Sequence, residues 1–454
     1  MEAPLRTSSY LIPVKLESEP DKYILIHGYT GVIDIATESL LKKIQSVASD
    51  TDLLPEMVEV LLKRGYITTK TQEEEYAYVA RMAKALHKES EILHTIFTWV
   101  VTYNCNFRCP YCFEGRENKD GTRKIVFTKE MVDCAYQTMD KIQPHKELRN
   151  NIITLYGGEP LLAENKDIVT YIVEEGVKRG YSFVAVTNGY EVDAFLDLLA
   201  PDKIRKLQIT IDGPKDMHNQ RRIHYAGYET FDKIISNIQL ALERDVKVTV
   251  RMNTDSNNVD KFLELKSYFE NQGFMNYPKF SIYSALLKDN DSITLSEHQN
   301  LNFLSVGTFV DKQKEWEWAK QGQDYGLYKS IYKALSEKRF IQFKSIGCAA
   351  QAGGYVLDPL GNIYPCWEVI GNKEYCKGRY NFDGITWNDS VLTQWNHTDI
   401  SQKNPCRHCK YALMCGGGCP YYHMLGNSRQ CAFFQKMFGM AVNYAYSTFK
   451  YNNN

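Results

Sequence analysis

Between residues 95 and 300, short runs rich in β-branched and aromatic residues alternate with longer stretches whose apolar positions recur every three or four residues. TIFTWVVTY, NIITLYG, SFVAVTN, KLQITID, VKVTVRMN and KFSIYSALL predict strands. TKEMVDCAYQTMDKIQ, KDIVTYIVEEGVKRG, VDAFLDLLAP, YETFDKIISNIQLALERD and VDKFLELKSYFENQG predict the helices between them. Repeated strand–helix units imply a parallel sheet with right-handed crossovers. Six of them suit an α/β fold built as a partial (β/α)6 barrel rather than a closed eight-fold one.

The flanks read differently. In residues 1–90, YLIPVKL, KYILIHG and GYTGVIDI predict strands, while ESLLKKIQSVAS, PEMVEVLLKRGYI and EEEYAYVARMAKALHKES carry helical spacing. That combination predicts a winged-helix-like N-terminal domain. Its second helix carries no Lys/Arg cluster, which disfavours a DNA-binding role. Residues 301–345 read as a helical bridge. Residues 346–454 are short-patterned, rich in Gly and Cys, and poor in core, so something besides burial must hold them together.

Composition narrows the class. Hydrophobic residues are 44% and charged residues 24% of the 454, an ordinary globular balance that excludes a mostly disordered chain. Lys+Arg (54) and Asp+Glu (55) nearly cancel, leaving no global basic field for nucleic acid. The N-terminus MEAPLRTSSY is not a secretory signal, and no apolar run reaches the ~18 residues of a membrane span. The chain reads as a soluble cytoplasmic protein without a nucleic-acid or membrane partner.

Twelve cysteines decide the chemistry, because they cluster: three at 105–112, one at 134, and eight between 348 and 431. In a large, core-rich chain without a signal, clustered cysteines read as metal ligands rather than disulfides. The first cluster, TYNCNFRCPYCFEG, spaces Cys105, Cys109 and Cys112 as C-x3-C-x2-C directly after the first barrel strand. Three thiolates on one loop suit a [4Fe–4S] cube with one open iron. A zinc site would want a fourth ligand, for which Cys134 and His145 are poorly placed.

With aromatic Tyr111 before its last cysteine, this triplet resembles the signature of radical S-adenosylmethionine (SAM) enzymes. LYGGEPLL resembles their GGE motif at Gly157, Gly158 and Glu159. The resemblance implies that the open iron binds SAM and reduces it to a 5′-deoxyadenosyl radical. It also implies that Glu159 receives the SAM ammonium. VTNGY (Thr187, Asn188), ITIDGP (Thr210, Asp212) and VRMN (Arg251, Asn253) end later strands, where such barrels hold SAM.

In the C-terminal hundred residues, Cys348, Gly361 and Cys366 are followed by Cys406, Cys409, Cys415, Cys419 and Cys431. The array resembles the SPASM domain, a cysteine-rich extension of radical SAM enzymes that act on peptides. The family pattern implies two auxiliary [4Fe–4S] clusters, three clusters in all. Cys406, Cys409, Cys415 and Cys431 would complete one. Cys348, Cys366 and Cys419 would hold the other, its fourth position left to Cys376 or to a substrate thiolate. Cys134 reads as a structural thiol.

Residues 1–90 then resemble the peptide recognition element of enzymes that modify ribosomally made precursor peptides, binding the leader as an added strand. These resemblances together imply a peptide maturase of the sactipeptide or ranthipeptide type, forming thioether crosslinks. A flavodoxin- or ferredoxin-type donor would supply the electron. The alternatives are carbon–carbon or carbon–oxygen crosslinking, and formylglycine formation in anaerobic sulfatase maturation. Formylglycine formers carry aspartate after the second C-terminal cysteine, where this chain has Trp367 and then Glu368. A zinc-bound, non-enzymatic peptide-binding scaffold stays open as a different class.

Overall fold

The computed structural model describes residues 4–48, 53–93, 95–115, 125–287, 302–316, 326–396, 399–426 and 429–453. Of the expected bridge over 301–345, residues 301 and 317–325 lie outside the described residues. Compactness divides the chain into two units, residues 1–91 with 324–352 and 397–454, and residues 92–323 with 353–396.

The first unit opens with β1 (Arg6–Thr7), β2 (Leu11–Lys15), β3 (Lys22–His27) and β4 (Ile33–Thr37), then α1 (Glu38–Gln45), α2 (Pro55–Arg64), β5 (Ile67–Thr68) and α3 (Gln72–Leu93). β2, β3 and β4 form an antiparallel sheet with β4 at one edge, and β1 pairs with β5. Local chemistry sets the helix ends. Thr37 caps α1 through Leu40 N, and α2 starts on Pro55 and stops at Gly65, which takes a left-handed φ of 88°. Leu25, Ile44, Leu61, Tyr66 and Ile67 pack beneath the sheet. A buried carboxylate, Glu75, ties α3 back to the first strands through Arg6, Ser8 and Tyr29.

In the second unit all six expected strands are present: β6 (Thr95–Thr102), β7 (Arg149–Gly157), β8 (Ser182–Thr187), β9 (Ile204–Thr210), β10 (Lys247–Thr254) and β11 (Phe280–Leu286). Between and after them come α4 (Lys129–Ile142), α5 (Lys166–Lys178), α6 (Lys215–Arg221), α7 (Phe231–Glu243), α8 (Phe262–Asn271) and α9 (Val306–Glu315). Alternation on β6 shows why it is a strand covered on both faces. Trp99 packs on Phe127 and on Tyr136 of α4, while Val100 faces the opposite way among Tyr103, Tyr156 and Tyr364.

Two expectations change. VDAFLDLLAP forms only a 3-10 turn at Val192–Phe195. The segment is short, and Pro201 removes an amide and biases the residue before it against helix. The sheet also continues past the barrel. It has ten strands in the order β11-β10-β9-β8-β7-β6-β12-β13-β14-β15, with β12 (Gly354–Leu357) parallel to β6, and β13 (Asn362–Tyr364), β14 (Gly378–Asn381) and β15 (Gly384–Trp387) antiparallel beyond.

The rest of the first unit contains α10 (Gly326–Ser336), α12 (Ala412–Cys415), α13 (Pro420–Met424) and α14 (Arg429–Asn453), whereas α11 (Asp389–Asn396) closes the second. The segment read as core-poor therefore carries a 25-residue helix. Ala412 and Leu413 share an apolar cluster with Tyr10, Tyr29, Val79 and Ala83. Among the described residues, no helix is long and apolar enough to cross a membrane.

Candidate functional site

The chain leaves β6 and enters the Cys105–Cys112 loop, which the end of β7 holds from below. Gly158 N donates to Thr102 O at 3.0 Å, and Glu159 N donates to Asn104 O at 2.8 Å. A Cβ on Gly158 would lie 2.4 Å from Asn104 O, so only glycine lets the two backbones approach this closely.

Glu159 is 1% exposed. Its Oε1 accepts from Thr187 Oγ1 (2.6 Å) and Leu161 N (2.8 Å), and its Oε2 from Asn188 N (2.5 Å). Burial pushes its pKa up to about 7, partly offset by those donors. It is a clasp between the ends of β7 and β8, with one acceptor direction of its four left for a ligand cation. Asn188 extends the clasp to the cysteine loop through Asn106 Oδ1, 2.6 Å away.

A second network grips the other side of the loop. Tyr111 Oη donates to Asp212 Oδ2 and accepts from Arg222 Nη1 (3.1 Å) and Asn253 Nδ2 (3.3 Å). Asn253 N donates to Asp212 Oδ1 at 3.0 Å. Asp212 N donates to His218 Nδ1, so the buried ring is neutral, with its other nitrogen facing Thr230 Oγ1. Thr210 and Arg251 are register partners on β9 and β10, and Arg251 Nε is buried without a hydrogen-bond partner.

Sequence reasoning missed four residues here: Glu114, Tyr156, Asn106 and Arg222. Tyr156 donates to Glu114, whose pKa burial pushes up to about 8, with Glu159 and Glu368 adding to the rise. The Tyr156 ring stacks on Trp367 at 5.3 Å. Adjacency was the available signal: Glu114 is two residues past Cys112, and Arg222 is the second of two arginines shortly after the DGP turn.

The C-terminal cysteines divide between the units. Burial pushes the pKa of Cys406 up to about 11, and Cys415, Cys431 and Cys409 lie close enough in the first unit for their charge to add to the rise. Cys348 and Cys419 also belong to that unit, with Gly347 against the Gly418 backbone. Cys366 lies in the second unit, where Glu368 N donates to its sulfur at 3.4 Å. Cys376, in the same unit, donates to Gly378 O at 3.1 Å. Cys134 is buried in α4.

The donor set fits iron–sulfur groups in two ways. Burial raises the pKa of Cys105, Cys109, Cys112, Cys406, Cys409 and Cys415, so thiolates there need a metal in place of the proton. A backbone N–H two residues ahead donates to the sulfur of Cys105 (from Phe107, 3.3 Å), Cys112, Cys366, Cys409 and Cys415. Such bonds support a sulfur that carries negative charge. Among the described residues no three His, Cys, Asp or Glu side chains close on a single metal ion. A four-iron cube, whose thiolates attach to separate irons, does not ask for that.

Residues 99–266 match the Radical SAM superfamily. The chain is 24% identical over 344 residues to a cysteine-type anaerobic sulfatase-maturating enzyme of Clostridium perfringens, covering 69% of this chain and 85% of that protein. It is 22% identical over 396 residues to the radical SAM cyclopropyl synthase TigE of Paramaledivibacter caminithermalis, covering 82% and 77%. A solved structure described as native anSMEcpe with bound AdoMet and Cp18Cys peptide superposes with a TM-score of 0.55 at 17% identity, over 78% of this chain and 99% of that one. The chain thus has a radical SAM domain in a mixed α/β fold, and the comparisons favour a radical SAM enzyme over the zinc-bound scaffold.

Proposed function

We propose that the chain is a radical SAM maturase that joins a cysteine sulfur to a carbon within a ribosomally made precursor peptide. The observation that carries this is the gathering of Cys406, Cys409, Cys415 and Cys431 in a unit that also contains the β2–β4 sheet. An auxiliary-cluster site and a peptide-binding sheet are what such a maturase requires. The anSMEcpe structure, described with a bound Cp18Cys peptide, supports a peptide as substrate.

Cys105, Cys109 and Cys112 hold the SAM-binding [4Fe–4S] cluster, with Tyr111, Gly157, Gly158, Glu159, Asn188, Thr210, Asp212, Arg251 and Asn253 around the SAM. When bound, the cluster and SAM together supply a 5′-deoxyadenosyl radical that takes a hydrogen atom from the substrate. The protein's own part is to orient and enclose. Glu159 keeps the ends of β7 and β8 together, and Tyr111 with Asp212 keeps the cysteine loop against β9 and β10. Cys406, Cys409, Cys415 and Cys431 would hold one auxiliary cluster, and Cys348, Cys366 and Cys419 would be the thiolates offered to a second, which would supply a place for the substrate thiolate. The leader adds to the edge strand β4, and a flavodoxin- or ferredoxin-type protein supplies the electron.

A second reading, formylglycine formation, is favoured by the sulfatase-maturating relatives. Glu368 adds to it, because this carboxylate acts on Glu114 and Tyr156, within the barrel unit. Trp367 in the position after Cys366 weighs against it.

Iron and labile sulfide per chain after anaerobic reconstitution test the proposal. The wild type should hold about twelve irons, and a Cys105/Cys109/Cys112→Ala variant about eight. About four irons in the wild type, or zinc without sulfide, would remove the auxiliary clusters and the thioether chemistry with them. Mass spectrometry of a peptide encoded beside the gene then separates the two readings. Loss of two hydrogens with a lost free thiol marks a thioether, and conversion of a cysteine to an aldehyde marks formylglycine.

A further inference from the structure

Resting on that reading, we propose that Arg222 is a fixed cation that sets the reduction potential of the cluster held by Cys105, Cys109 and Cys112, with Asp212 as its opposing charge.

Two arginines stand side by side at the end of α6, and their surroundings differ. Arg221 pairs with Asp255 at 2.8 Å and approaches Asp212 at 3.8 Å, so carboxylates already answer its charge. Arg222 has no carboxylate within ion-pairing distance among the described residues. Its Nη1 donates to Tyr111 Oη, and its Nε is buried without a hydrogen-bond partner. Arg222 is half-buried, and a guanidinium with five donors whose Nε is closed off without a partner, and which has no carboxylate beside it, favours an anion close by.

The geometry points to the cysteine loop as that anion. The guanidinium lies over the Phe107 ring, 5.3 Å from its centre, and the Phe107 amide donates to Cys105 sulfur. Cys109 is the first group whose charge acts on Arg222. The backbone holds the side chain's origin in place, because Arg222 N donates to His218 O at 2.7 Å and Arg222 O accepts from Thr230 Oγ1 at 3.1 Å. Net charge around a cluster is one of the levers on its potential, and a nearby cation favours the reduced, more negative state.

The test is an EPR-monitored redox titration of the reconstituted full chain, read on the signal that changes when SAM is added. Arg222→Gln should lower that midpoint by about 59 mV or more, tenfold in the ratio of reduced to oxidised cluster at a fixed potential for a one-electron couple. Arg222→Lys, which keeps the charge, should move it less than half as far. Asp212→Asn should move it upward. A merely structural network would shift the Gln and Asn variants in the same direction or not at all, and either result overturns the proposal. Should Arg222→Gln take up no iron, Asp212→Asn decides, a rise supporting the proposal and a fall or no change ending it. A wild type with no SAM-responsive signal would instead defeat the maturase reading on which this rests.

Discussion

Tyr111 and Asp212, 101 residues apart in the chain, share a hydrogen bond that fastens the cysteine loop to the sheet beneath it. Asp212 is fully buried and also receives Asn253 N. Removing the carboxylate strands a tyrosine hydroxyl and an amide, and takes a nearby negative charge from Arg221. Asp212→Ala should therefore destabilise the barrel unit by about 3–5 kcal/mol. Tyr111→Phe, which removes one donor and leaves the carboxylate its other partners, should cost about 1–3 kcal/mol. Urea unfolding followed by tryptophan fluorescence gives both numbers. Equal losses in the two variants would mean that the pair does not carry the network.

Gly158→Ala should be among the most damaging single-methyl additions in the chain. The new Cβ would meet two carbonyl oxygens, of Asn104 and Tyr103, at 2.4 and 2.6 Å, and backbone cannot step aside as a side chain can. Overpacking of this kind costs about 1–3 kcal/mol, and the loop that must shift is the one carrying the three cysteines. Iron content per chain should fall by about four. A variant with full iron content and wild-type stability would show that the loop has room to give.

Much of the barrel was legible because its strands alternate cleanly and its helices repeat at helical spacing. β6–β11 were all readable, as were α4, α5, α7 and α8. What escaped had a physical reason. β12–β15 have three or four residues each, too few for a period to register, and their place beside β6 is set by long-range pairing. α6 hides behind the DGP turn, which reads as a loop. α14 holds Phe433, Phe438, Ala441, Val442, Ala445 and Tyr446 at helical spacing, but the cysteines around it drew the reading toward loops. At the site, the spacing of the cysteines drew attention to their loop. The partners Arg222, Glu114 and Tyr156 stayed invisible, because their importance lies in what the fold packs around them.

Acid should loosen the first unit through His27. The ring is fully buried, accepts from Thr30 N at its Nδ1 and contacts Ser8 through Nε2. Burial pulls its pKa from 6.5 to about 4, so the folded form binds its proton later than the unfolded form does. Its stabilisation is therefore complete above pH 6.5 and is lost as pH falls toward 4. The slope reaches about 1.4 kcal/mol per pH unit and the total about 3 kcal/mol. Hydrogen exchange at the β3 amides, corrected for intrinsic chemistry, should show this loss, and His27→Gln should flatten it. An unchanged profile in that variant would move the cause elsewhere.

Cys376→Ser should leave iron and sulfide unchanged. Its sulfur donates to Gly378 O, a bond the hydroxyl can keep. Cys406→Ser should lose about four irons, since it belongs to the gathered quartet. Metal analysis of both variants separates the cases. Iron lost from Cys376→Ser would make that thiol the fourth ligand of the three-cysteine cluster.

The order in which the ribosome delivers this chain runs against the order in which its parts can close. β6 appears early, yet its second neighbour, β12, begins only at Gly354. The first sheet appears earlier still, and one of its partners, Asn443, which donates to Lys15 O and accepts from Glu17 N, comes more than 400 residues later. Until then both elements expose unpaired amides, and pairing across such separations is slow. Iron delivered during synthesis would meet cysteines whose supporting strands do not yet exist. Assembly of the proposed metal sites would therefore belong after translation of the late segments, and a cell that overproduces this protein faster than it supplies iron and sulfide should accumulate it as aggregate.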